Sequence, residues 1–141
     1  MDNGYAILNR TWKNGDAIEL NLPMPVRRVV ANKNVKADVG RVALQRGPMV
    51  FCAEWPDNPD GKVRNLILPD NQKLTASFEP QLLNGVEVIQ GTAFGVSTND
   101  TGSIVKTEQD FKAIPYYAWA NRGKGEMAVW FSDSENTLGP R

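Results

Sequence analysis

No histidine occurs in the 141 residues, which removes the commonest general base and the commonest metal ligand together. A Ser-His-Asp triad is therefore impossible, and a zinc site would lack its usual imidazole. Cysteine is almost as scarce. The single Cys52 cannot close an intramolecular disulfide. It sits in the apolar run Met49-Val50-Phe51-Cys52-Ala53, which reads as a buried, inert thiol rather than a nucleophile. Surplus charge is missing too: 16 basic residues balance 16 acidic ones, so nothing displaces counterions from phosphates. Nucleic acid and anionic membrane are excluded as partners on that ground. No run of about 18 apolar residues exists to span a bilayer, and Met-Asp-Asn-Gly-Tyr lacks the basic start and apolar block of a signal peptide. The expectation is a soluble bacterial protein, with periplasm and cytoplasm both open.

What is present has the period of strands. The length suits one domain, and 41% apolar with 23% charged residues is ordinary for a globular chain. Ala17-Ile18-Glu19-Leu20-Asn21-Leu22 alternates cleanly after the Asn14-Gly15 turn signal, so Tyr5–Trp12 and this run predict a hairpin. Pro23 and Pro25 end it. Further strands are expected at Val26–Ala31, Arg41–Arg46, Met49–Glu54, Asn65–Leu68, Leu74–Phe78, Val86–Thr92 and Ile104–Glu108, with a bend or bulge at Gly47. Turn signals recur about every ten residues, and no amphipathic helical stretch is found. The fold class is all-β: an antiparallel β-sandwich, jelly-roll-like, with little or no helix. Residues 1–141 read as one domain, with residues 1–25 alternatively a hairpin of a neighbouring sandwich.

Six of the twelve aromatics fall between Phe111 and Phe131. Ile114–Ala120 and Glu126–Phe131, flanking Asn121-Arg122-Gly123-Lys124-Gly125, predict a second hairpin. A period of two puts Tyr117 and Trp119 on one face, Tyr116 on the other, and Trp130 opposite Met127, Val129 and Phe131. Strands apolar on both faces are covered on both. Either this hairpin is central, or its outer face meets another domain.

Candidate sites are few. Gly123-Lys124-Gly125-Glu126-Met127-Ala128 has the loose form of a dinucleotide loop, but it opens a strand instead of a helix. Asp57, Asn58, Asp60 and Gly61 resemble pieces of a calcium loop, but the ligand spacing fails and Pro59 stiffens the middle. Glycosidases need two placed carboxylates. Glu54 and Glu126 adjoin apolar strands and could be partly buried, with a structural role as the default. Asn9-Arg10-Thr11 and Asn99-Asp100-Thr101 match the glycosylation pattern without a secretory context. Among aromatics, Trp55 in its Pro/Asp-rich loop, Tyr117, Trp119 and Trp130 are the candidates to contact sugar or a neighbouring domain. No catalytic, cofactor-binding or metal-ligating residue is assigned.

Three blocks resemble the C-terminal region of glycoside hydrolase family 127, the β-L-arabinofuranosidases. They are Arg10–Asp16 leading to Leu22-Pro23-Met24, then Val42–Glu54, and last Ile114–Gly123 with Glu126–Trp130. The resemblance implies β-sandwich domains following an α/α barrel, with catalysis by a zinc-bound cysteine and glutamates that belong to the barrel. Cys52 lies in the Arg-Gly-Pro strand block, away from the nucleophile motif, so no catalytic role passes to this chain and zinc is expected only in the absent barrel. The resemblance points to a non-catalytic accessory domain. Its partners would be that barrel and a neighbouring β-sandwich of the same polypeptide. The alternative is an independent carbohydrate-binding module using surface aromatics.

Overall fold

A computed structural model describes residues 3–138. Residues 1–2 of the anticipated first hairpin lie outside them. The described residues form nine strands: β1 (Val26–Val30), β2 (Arg41–Arg46), β3 (Met49–Glu54), β4 (Leu66–Ile67), β5 (Thr75–Glu79), β6 (Val86–Thr98), β7 (Ile104–Pro115), β8 (Met127–Ala128) and β9 (Trp130–Ser132). Among the described residues only short 3-10 turns interrupt them, so the fold is all-β as the alternation predicts. Among the described residues, no helix is long and apolar enough to cross a membrane.

The ladders close on themselves. The path β2-β9-β4-β6-β7-β3 returns to β2 through the β2–β3 pairing, and β1, β5 and β8 hang on β2, β6 and β3. Every pairing between the nine described strands is antiparallel except Ile67↔Ser132 between β4 and β9. Gly47-Pro48 is no bulge inside one strand but the two-residue turn of a hairpin, with Arg46 opposite Met49. Gly47 takes φ +57, the conformation that such a turn demands of its first residue and that glycine adopts freely.

Alternation divides the apolar residues between two clusters. Phe51 and Ala53 of β3, Ile89 and Ala93 of β6, and Phe111 and Ala113 of β7 join Val42, Leu44, Leu66, Leu68 and Phe131 in the main core. Phe111 meets Phe131 edge to face, with centroids 5.2 Å apart. The opposite faces of the same strands carry Cys52, Val88 and Ile114. Leu82, Leu83, Ala118, Met127 and Val129 pack against them. The second apolar face is thus covered by this domain's own segments, and needs no other domain to seal it.

Two sequence expectations fail locally. The turn at Lys13–Asp16 forms, with the Asp16 amide donating to the Lys13 carbonyl, yet Ile18–Leu22 joins no ladder. The second hairpin does not exist. Ile114 and Pro115 end β7, residues 116–118 form a 3-10 turn, and β8 and β9 pair with β3 and β2. Pro115 has no N–H to continue a ladder, and Ala120 and Gly123 turn the chain at φ +67 and +99.

Candidate functional site: a buried clamp beneath an aromatic ledge

The 3-10 turn after β7 dictates the geometry of the aromatic block. At three residues per turn, positions i and i+3 eclipse. Tyr116 and Trp119 therefore stack, with centroids 6.0 Å apart and planes 12° from parallel. The strand period had paired Tyr117 with Trp119, which the turn overrides. Tyr116, Tyr117 and Trp119 are 47%, 70% and 43% exposed, and together they form an outward ledge.

Below the ledge lies a charge cluster. Glu54, at the end of β3, is only 2% exposed although it is ionisable. Its Oε2 accepts from Arg122 Nε at 2.9 Å and Nη2 at 2.6 Å, and its Oε1 accepts from the Ala120 amide at 2.8 Å. The other edge of the guanidinium grips Asp57, with Nη1 to Oδ1 at 3.0 Å and Nη2 to Oδ2 at 2.6 Å. Burial alone would push Arg122 down, but the hydrogen bonds to Asp57 and Glu54, with their charges, carry it above its ordinary range. Asn58 Nδ2 adds a bond to the Glu54 carbonyl at 2.8 Å. This planar fork between two carboxylates is a clamp: it ties the loop after the ledge to the end of β3.

Trp55 and Glu126 complete the loop's anchorage. The Trp55 amide donates to the Glu126 carbonyl at 2.9 Å, while Glu126 Oε2 accepts from the Val63 and Arg64 amides at 3.0 and 3.2 Å. The Trp55 ring lies against Gly61, Gly123 and Gly125, and a Cβ on Gly125 would overlap its Cδ1 and Cγ. Its Nε1 is buried with no hydrogen-bond partner among the described residues. Trp55 and Trp130 are half-buried, unlike Tyr117 and Trp119.

The four aromatics singled out from sequence thus occupy different settings, and only Tyr117 and Trp119 share the ledge. The loop once compared with a calcium site contributes Asp57 to the clamp and Asn58 to the Glu54 backbone. Sequence reasoning missed Arg122. Its one signal was a cation in a Gly-containing loop within the same block as the aromatics. It also missed an open groove of about 680 Å³ beside the clamp, lined by Asp57, Asn58, Gln90, Asp110 and Lys112. Within it, Lys112 pairs with Glu79 at 2.9 Å, and Gln90 Nε2 donates to the same carboxylate at 2.7 Å.

A zinc ion does not fit these residues. The only thiol, Cys52, is sealed in the second cluster, and burial, then the charge of Glu54, push it up to about 12 from its ordinary 9.0. It is not a thiolate donor near neutral pH. Among the described residues, no three acidic, thiol or imidazole groups cluster.

Comparison with known proteins matches residues 26–132 to the glycoside hydrolase family 127 C-terminal domain. The non-reducing end β-L-arabinofuranosidase of Bifidobacterium longum subsp. longum is 36% identical, over 89% of this chain and 20% of that protein. A solved GH127 β-L-arabinofuranosidase from Geobacillus stearothermophilus T6 superposes with a TM-score of 0.70 at 48% identity, over 78% of this chain and 18% of the other. Another GH127 β-arabinofuranosidase structure reaches 0.78 at 40% identity, over 82% of this chain and 18% of the other. The chain spans about a fifth of the length of these relatives.

Proposed function

The chain belongs to the glycoside hydrolase family 127 C-terminal domains, and we propose that it is a non-catalytic accessory domain of a β-L-arabinofuranosidase-like hydrolase. Its role is mechanical: the Tyr116–Trp119 ledge packs against the catalytic barrel of the same polypeptide. Zinc and the catalytic residues belong to that barrel. The observation that carries this reading is the ledge itself, large aromatics left exposed on a turn that a buried clamp holds in place. Aromatics of this kind supply much of the burial in interfaces and gain most where they are pre-organised. The purified chain should not hydrolyse a chromogenic β-L-arabinofuranoside, with or without added zinc. Zinc-dependent turnover that survives repeated purification would overturn the proposal.

The parallel stacking of Tyr116 and Trp119 favours one second reading, a carbohydrate-binding module. Arabinan binding that Trp119→Ala abolishes would support the module, whereas no heat of binding across glycans leaves the scaffold.

A further inference from the structure

The chain holds three Asn-Gly pairs, at residues 3–4, 14–15 and 84–85. Glycine has no Cβ to shield its amide nitrogen from the preceding side chain. Such a pair can close on itself: the glycine nitrogen attacks the asparagine Cγ, the Cγ–Nδ2 bond breaks, and ammonia leaves. The product is a five-membered succinimide, which water opens at either carbonyl to aspartate or isoaspartate. The step needs only solvent, a glycine amide free to give up its proton, and a backbone free to swing that nitrogen onto Cγ.

The first pair adjoins the edge of the described residues, and the fold treats the other two oppositely. Gly85 lies in the connection between β5 and β6, and its amide donates to the Leu82 carbonyl at 2.8 Å. Leu82 and Leu83 pack against the second cluster, and a Cβ on Gly85 would lie 2.8 Å from Phe78 Cζ. Asn84 and Gly85 are held at φ +65 and +99. The nucleophile is engaged, and the segment cannot swing without drawing the leucines out of their packing.

Asn14-Gly15 has none of these restraints. Both residues are exposed, and a Cβ on Gly15 would meet nothing within 4 Å. Neither the Asn14 side chain nor the Gly15 amide has a hydrogen-bond partner among the described residues. The bonds of the turn skip them, running from the Asp16 amide to the Lys13 carbonyl at 3.1 Å and from the Lys13 amide to Asp16 Oδ2 at 2.8 Å. Ile18–Leu22 joins no ladder that would stiffen the turn from outside.

We infer that Asn14 is a site of spontaneous deamidation, and that the fold protects Asn84 from the same reaction. The new carboxylate stands two residues from Asp16 and competes for Arg10, whose Nη2 donates to Asp16 Oδ2 at 3.0 Å. Isoaspartate also carries the main chain through its β-carbon, which lengthens the turn that the Asp16 amide closes. The inference goes beyond the accessory-domain reading and does not depend on it.

Peptide mapping of the chain as it ages in neutral to mildly alkaline buffer tests this, with aspartate and isoaspartate resolved at each pair by mass spectrometry. In the folded chain, residue 14 should convert at least about 10-fold faster than residue 84, which reacts only through local opening. Both products should appear at residue 14, and faster as the pH rises. In concentrated urea the two rates should converge. Asn14→Gln should stop conversion at residue 14 and leave that at residue 84 unchanged, because the longer side chain would have to close a six-membered ring. Equal rates in the folded chain would overturn the inference, and so would the same difference persisting in urea. Aspartate without isoaspartate at residue 14 would overturn it as well, since direct hydrolysis would then replace the succinimide.

Discussion

The clamp and the ledge come from one short stretch of chain, Tyr116 to Arg122, and they have opposite relations to water. Arg122 turns inward, with its side chain 15% exposed between Glu54 and Asp57, while Tyr117 points outward at 70%. One part exists to be rigid and the other to be available. A buried charge network stabilises little in net terms, because desolvation offsets most of its attraction, but it tolerates no missing partner. An exposed aromatic contributes little to the fold and can be given wholly to a contact. The clamp therefore sets where the ledge stands, and the ledge carries whatever it meets.

Substitutions should separate the two parts in urea unfolding. Arg122→Ala strands Glu54 without a counter-charge in the interior and is expected to cost about 3–5 kcal/mol. Gly125→Ala forces a methyl group into the Trp55 ring, and an overpacked site of this kind should cost roughly 1–3 kcal/mol. Tyr117→Ala should change stability by less than about 0.5 kcal/mol, since its ring is mostly in solvent. Equal losses for Arg122→Ala and Tyr117→Ala would erase the distinction.

Most of the body was legible in the residues. β2 and β3 follow directly from Val42/Leu44 and from the apolar run at Met49. β6 and β7 run further than their patterns suggest, to Thr98 and Pro115. Gly91 and Gly95 interrupt the apolar pattern of β6, because a Cβ on Gly91 would press on the Lys73 carbonyl and one on Gly95 on Gln109. The first half of β7 is mostly solvent-facing, so its register comes from pairing with β6 rather than from its own alternation.

The clamp was hidden for a different reason. Glu54 and Arg122 lie 68 residues apart, and among 16 acids and 16 bases no local pattern pairs them. Only the β3–β7 and β3–β8 pairings bring their segments together. The ledge was half legible: its aromatics stood out, but the step from period two to period three at Pro115 changed which rings share a face.

Hydroxyl-radical footprinting of the aromatic side chains, in this chain and in the full-length polypeptide, tests the docking role of the ledge most directly. Trp119 and Tyr117 should label readily in the chain and be strongly protected in the whole protein, with Trp55, packed against its glycines, slow in both. Trp119 labelled at the same rate in both contexts would contradict the account.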